Sequence, residues 1–279
     1  MRSPFPRTNR TSVCRMMASF QYTVTVRISP FSHARLWEVA MTTAFITGAN
    51  KGIGRAIAEN LGARGYKVLV GARDDSRGRT AVGQMRSIGL DAEFVRIDMS
   101  DLTSVDEAAA YVCKEYGDCE LLVNNAATPG YPMHAPGWSF EASDLERIWR
   151  TDFLGPFELV KSLMGVLARN HGRILNVSIP IEPRAEFNAF AYQTSKAPLN
   201  VMTKSLGVSF AEEGFPIEIF AVTPGGTSTD LNGHIHGPRV KTPEQAASVI
   251  VGYLFDGQNH NGHVINFDGG TWAYTLERQ

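Results

Sequence analysis

Tyr192 and Lys196 stand four residues apart in Tyr192-Gln193-Thr194-Ser195-Lys196. On a helix this spacing brings a phenol and an ammonium to one face. A neighbouring cation favours the phenolate and lowers a pKa that is otherwise about 10. Such a pair can hand a proton to a developing alkoxide, or take one in the reverse direction. Ordinary amphipathic helices carry the same spacing, so its setting in the chain decides. A second stretch, Thr47-Gly48-Ala49-Asn50-Lys51-Gly52-Ile53-Gly54, is suited to anions. It follows the apolar run Thr43-Ala44-Phe45-Ile46 and precedes a helical pattern of Ile53, Ala56, Ile57 and Leu61. Strand, glycine turn and helix make a phosphate-binding corner. The glycines let the backbone approach a pyrophosphate, and the helix N-terminus points free N–H groups at it. The spacing is Gly-x-x-x-Gly-x-Gly rather than Gly-x-Gly-x-x-Gly, and it suits a dinucleotide, although glycines in a turn also serve structure alone.

The surrounding elements must position these groups. After the first strand, residues 66–70, 93–97, 121–123, 173–177, 217–222 and 263–267 read as strands. Helical patterns fall at residues 54–64, 77–88, 102–116, 143–170, 192–213 and 243–255. The alternation implies right-handed βαβ crossovers and an α/β, Rossmann-like, doubly wound parallel sheet of about seven strands flanked by helices. No internal repeat or linker interrupts the chain after Met41, so residues 41–279 read as one domain.

The chain has 279 residues, 43% of them hydrophobic, which suits one large α/β domain or at most two. A net charge of −1 gives no electrostatic case for nucleic acid. No apolar run is long enough to span a bilayer. Cys14, Cys113 and Cys119 form no metal-ligand pattern, and free thiols in a reducing compartment are the simplest reading. Residues 1–40 differ from the rest: six Arg, no Lys and one acid give 6 − 1 = +5, leaving −6 for the remainder. Arg-rich, acid-poor, hydroxyl-rich N-termini can be organelle transit peptides. A disordered arm or an upstream start codon is the plainer reading, because Met41 directly precedes the first strand. The expected localisation is cytoplasmic, or mitochondrial if residues 1–40 are a transit peptide.

The glycine turn, Asn124-Asn125-Ala126 and Tyr192-x-x-x-Lys196 together resemble the short-chain dehydrogenase/reductase family, over about residues 41–272. The resemblance implies a nicotinamide cofactor on Gly48, Asn50, Lys51, Gly52, Ile53 and Gly54. It also implies a homodimer or homotetramer. The acid that would accept both ribose hydroxyls and select NAD is replaced by Ala72. Arg73 follows it, and Lys51 lies in the glycine turn. Two cations near one ribose favour a 2′-phosphate, so the cofactor expected is NADP(H). Asp98 matches the family residue on adenine, or is a helix N-cap. Asn125 and Ala126 line the adenosine side, and Asn124 ties the sheet. Ala127 replaces a glycine and is expected to redirect the following loop. Pro224, Gly225, Thr227 and Thr229 resemble the stretch that holds the nicotinamide carboxamide. Lys196 would hold the nicotinamide ribose while Tyr192 carries the proton.

Two positions depart from the family. Its usual Ser after the fifth strand aligns with Ile179. Ser178 is one residue early, which on a strand reverses the side chain's face unless a bulge intervenes. Asp152 in Thr151-Asp152-Phe153-Leu154-Gly155 takes the place of an Asn that holds a relay water. It is expected either to pair with Lys196 or to face the substrate. The candidate catalytic set is therefore Tyr192, Lys196, Asp152 and Ser178. A carboxylate opposes an alkoxide and stabilises a cation, so both departures suit a cationic iminium better than a neutral ketone. Tyr131, Trp138 and Ile179 are candidate pocket walls, with His134 in the same loop. Pro136-Gly137-Trp138, Asp152 and the missing Ser bear a loose likeness to fungal bifunctional reductase/Diels–Alderases of bridged indole-alkaloid pathways, which reduce a charged cyclic imine-type intermediate. His234-x-His236 lacks an evident third ligand, so no metal is expected.

The function expected is NADPH-dependent hydride transfer to a small or medium carbonyl or cyclic iminium, in secondary-metabolite biosynthesis. A cofactor-templated cyclisation or isomerisation in the same pocket is one alternative. A non-catalytic NADP(H)-binding sensor is the other.

Overall fold

The computed structural model describes residues 42–183 and 187–271. The N-terminal extension, residues 1–40, lies outside the described residues. The first half of the chain runs β1 (Thr43–Thr47), α1 (Gly52–Ala63), β2 (Lys67–Ala72), α2 (Asp75–Ser87), β3 (Ala92–Arg96), α3 (Leu102–Glu115) and β4 (Cys119–Asn124). The second half runs α4 (Ala142–Trp149), α5 (Gly155–Arg169), β5 (Arg173–Val177), α6 (Phe190–Glu213), β6 (Glu218–Thr223), α7 (Pro243–Gly252) and β7 (Val264–Asn266). All seven strands pair in parallel, in the order β3-β2-β1-β4-β5-β6-β7. The order reverses between β1 and β4, and ligands of such sheets bind in the crevice at that switch point. The loops after β1, β4, β5 and β6 meet there. They carry the glycine turn, Asn124–Ala126, Ser178–Ile179 and Pro224–Thr229.

Helices cover both faces, which is why the central strands read as continuous apolar runs. One core packs Ile57, Leu61, Val82 and Ile250 against Ile46, Val70 and Val123. The other packs Val105, Val112, Leu159 and Leu163 against Phe45, Leu69 and Leu122. Fully burying side chains of this size contributes about 1.5–3 kcal/mol each, and the sum fixes the strand ends that carry the site. No helix of the described residues is long and apolar enough to cross a membrane.

One predicted element is corrected. Residues 143–170 are not a single α-helix. They form α4, a five-residue π-helical segment Arg150–Leu154, and α5. Pro156 has no N–H for the helical ladder. Gly155 presses against the Met99 carbonyl, where a Cβ would overlap. The wider turn places Asp152 inside the protein, and such π-bulges gather at functional sites.

Candidate active site

The glycine corner is braced from β4. The Asn125 side-chain amide donates to the carbonyls of Thr47 at 2.9 Å and Gly48 at 3.3 Å. The backbone N–H groups of Asn125 and Ala126 donate to the Thr47 hydroxyl at 3.0 and 3.1 Å. Gly48 has φ +66°, a conformation that glycine adopts without strain. A Cβ on Gly54 would overlap the Asn125 amide and lie 2.6 Å from the Gly48 carbonyl. The first turn of α1 leaves N–H groups without intrahelical partners, and no side chain caps them.

On the adenosine side, Ala72 is buried at the end of β2 and Arg73 is exposed beside it. Asp98 accepts from the Ser100 N–H at 3.0 Å and hydroxyl at 2.7 Å. Burial opposes its ionisation, but those two bonds and the charges of Arg73 and Arg96 hold it below the usual carboxylate range. Lys51 does not point freely at a phosphate. Its ammonium lies 2.6 Å from the Asp230 carboxylate, and both side chains are about half exposed. Such a pair contributes little by itself. Asp230 also lies 2.9 Å from His234 Nε2. The Tyr131 hydroxyl, 63% exposed, donates to the Leu231 carbonyl at 2.9 Å. Thr229 caps the short turn Asp230–Asn232, while the Thr227 hydroxyl donates inward to the Gly225 carbonyl at 3.1 Å. The segment after β6 is thus tied to both the glycine turn and the loop after β4.

Tyr192 and Lys196 lie one turn apart on α6. Lys196 is 1% exposed, its ammonium donates to the Val177 carbonyl at 3.2 Å, and it sits 5.8 Å from the Tyr192 ring centroid. Asp152 is 0% exposed. One of its oxygens accepts from the Thr128 N–H at 2.8 Å and the other from the Ser195 hydroxyl at 2.9 Å. Burial pushes its pKa up to about 6, against the opposing pull of Lys196, Thr128 and Ser195. Burial pulls the Lys196 pKa down while Asp152 raises it. The expected lowering of the Tyr192 pKa is reversed: burial, then the Asp152 charge, holds the phenol above its ordinary value. The phenol is therefore a protonated acid at neutral pH.

The bulge that would turn Ser178 around is not formed. The β5–β6 register runs evenly to Val177, and the Ser178 N–H still donates to the Val222 carbonyl at 2.9 Å. Side chains two apart on a strand share a face. Asn176 donates to Thr203 on α6 at 2.8 Å, and the Ser178 hydroxyl donates to Asn200 on α6 at 2.6 Å. Its proton is committed there, one turn beyond Lys196, and half-buried Ile179 occupies the next position. Asn124 donates to Asn176 at 2.9 Å, linking β4 to β5.

Ala127 has no positive φ; His171 and His234 are the non-glycine residues that do among those described. The next residue, Thr128, ties the loop after β4 to Asp152. Trp138 is 89% exposed at the loop's short 3-10 turn, and His134 is exposed. In the same region Phe190 packs with Phe140 at 6.2 Å between ring centroids and lies against Gly137. Thr128, Phe140, Phe190, Ser195 and Asn200 escaped the sequence reading. Ser195 and Phe190 had a signal, since they flank or lie within the Tyr192–Lys196 motif.

A family model described as short chain dehydrogenase matches residues 42–238. Carbonyl reductase (NADPH) 1 of Mus musculus is 31% identical over 207 residues, covering 66% of this chain and 70% of that protein. The 3-oxoacyl-acyl-carrier-protein reductase of Escherichia coli is 28% identical over 208 residues, covering 74% and 80%. The crystal structure of a point variant of actinorhodin polyketide ketoreductase with NADPH superposes with a TM-score of 0.72 at 26% identity, covering 83% of this chain and 97% of that one.

Proposed function

The chain belongs to the short-chain dehydrogenase/reductase family, and from that premise we propose that it is an NADPH-dependent reductase whose preferred substrate is a cyclic iminium. It is an oxidoreductase that uses NADP(H), in keeping with the NADPH-bound structural relative. The glycine corner and the first turn of α1 hold the pyrophosphate, and Arg73 beside Ala72 holds the 2′-phosphate. Arg73→Ala is expected to weaken NADPH at least tenfold and leave NADH within a factor of about two, read by titrating each cofactor.

Buried Asp152 beside Tyr192 and Lys196 is the observation that supports the cationic substrate. NADPH bound at the glycine corner would supply a hydride to the C=N⁺ carbon, leaving NADP⁺, with the π pair passing to nitrogen to give an amine. No proton donor is required, so Ile179 in place of a Ser costs nothing. The Asp152 carboxylate offsets the Lys196 charge that would otherwise repel a cation, an effect a neutral carbonyl does not feel. A neutral carbonyl is the second reading, supported by the protonated Tyr192 and by the ketone- and carbonyl-reducing relatives. The similarity to a polyketide ketoreductase supports a role in secondary metabolism. Exposed Trp149, Leu154 and Phe157 along α4, the π-helical segment and α5 support a homo-oligomer.

The test is NADPH oxidation against iminium and carbonyl panels. Asp152→Asn should raise KM for the iminium about a hundredfold and spare the carbonyl; equal losses overturn the charge reading. In the unmutated enzyme, kcat/KM for the iminium should fall below about pH 6, because Asp152 loses its charge as it takes up a proton. Tight NADPH binding with no turnover on either panel overturns both readings.

A further inference from the structure

We propose that Ser195 is a positioning residue for the reduction: with the Thr128 N–H it clamps the Asp152 carboxylate between α6 and the loop after β4, fixing a negative charge beside Lys196 and Tyr192. Each oxygen of Asp152 has its own donor, one from each side of the clamp. Ser195 is 0% exposed, so no water competes for its hydroxyl. That hydroxyl has two acceptors in reach, Asp152 at 2.9 Å and the Tyr192 carbonyl at 2.8 Å. An ionised carboxylate is the stronger acceptor and takes the proton while Asp152 is charged. When Asp152 is protonated it is the weaker acceptor, and the hydroxyl proton shifts toward the Tyr192 carbonyl. The donors of the clamp therefore favour the charged carboxylate over the neutral acid.

Few groups share this environment. From α6, Lys196 and Tyr192 are the ionisable side chains coupled to Asp152. The loop after β4 offers only the Thr128 backbone N–H, and β5 offers the Val177 carbonyl, which is held by Lys196. The Thr128 donor belongs to the backbone and no side-chain change removes it. Ser195 is the half of the clamp that substitution can reach. Its place inside the Tyr192–Lys196 motif also means that the clamp moves with the proton-transfer pair.

This inference rests on the reading of Asp152 as the charge that favours a cationic substrate, and its test separates the two. The experiment is a carboxyl ¹³C NMR titration of the whole protein labelled at aspartate, with the Asp152 signal assigned by its loss in Asp152→Asn. Ser195→Ala should move the Asp152 midpoint upward by about one pH unit, a tenfold gain in proton affinity. Ser195→Thr should restore it, and Ser195→Cys, a weaker donor, should fall between and serve if the alanine variant does not fold. The acid limb of kcat/KM for a cyclic iminium should move up by the same amount, with the plateau above it unchanged. An unmoved midpoint overturns the clamp, whatever happens to activity. A moved midpoint with an unmoved acid limb leaves the clamp standing and overturns the cationic-substrate reading instead. Equal activity losses on iminium and carbonyl with an unmoved midpoint make Ser195 a packing residue and overturn the proposal.

Discussion

Tyr192→Phe should lower kcat for a neutral carbonyl by about 10²–10⁴ and leave kcat for a cyclic iminium within about threefold. The two substrates differ in what they need after hydride arrives. An alkoxide must be protonated, and the phenol is the proton donor on the catalytic face of α6. Burial and Asp152 hold that phenol above its ordinary pKa, so it carries its proton throughout neutral pH. The Ser178 hydroxyl does not compensate, because its proton is committed to Asn200. An amine product already holds its electron pair and needs nothing from Tyr192. NADPH affinity should change little, since phenylalanine keeps the ring beside Lys196. Lys196→Met sets the contrast. It leaves Asp152 buried without its cation, which costs about 3–5 kcal/mol of stability and removes the group placed to hold the nicotinamide ribose. Both substrates should then fail together. Steady-state kinetics on the two panels, with cofactor titration alongside, read the difference. Equal loss on both panels for Tyr192→Phe would make the phenol a structural group rather than an acid.

What the sequence shows depends on how far apart the interacting groups lie along it. The glycine corner is local: strand, turn and helix are adjacent in the chain, and their burial pattern follows from the apolar spacing. Strand alternation also indicates which face Ser178 takes, and the even β5–β6 register shows no bulge that would change it. The ion pair of Lys51 was hidden for the opposite reason. Its partner Asp230 lies 179 residues away, and charge pairing at that separation leaves no pattern. The sign of the Tyr192 shift failed because spacing shows a neighbouring cation but not burial. Desolvation of a phenol outweighs an ammonium that is itself neutralised by Asp152. The π-helical segment was hidden by continuous helical periodicity, although Gly155-Pro156 held the clue. The 89% exposure of Trp138 was not legible either, because it depends on the path of the whole loop rather than on residue type.

Gly54→Val should abolish NADPH binding at accessible concentrations, a loss of at least about a hundredfold, and lower Tm by roughly 10 °C. The first added carbon would overlap the Asn125 amide and crowd the Gly48 carbonyl at 2.6 Å. Neither neighbour can yield cheaply. Asn125 holds the Thr47 and Gly48 carbonyls, and moving it leaves buried acceptors unpaired at about 1–3 kcal/mol. Moving α1 instead breaks its packing of Ile57 and Leu61, where overfilling costs about 1–3 kcal/mol. Either route costs up to about 3 kcal/mol, and a domain of this size loses about 2–4 °C per kcal/mol. Either relaxation distorts the glycine corner, the place proposed for the pyrophosphate. Gly83→Ala is the matched control: it is exposed on α2 with nothing within 4 Å of an added carbon. Alanine there should add about 0.5–1 kcal/mol of stability and leave the cofactor titration unchanged. Differential scanning fluorimetry and NADPH fluorescence titration measure both variants. Wild-type affinity in Gly54→Val would mean that the phosphates lie elsewhere, because that overlap and an intact corner exclude each other.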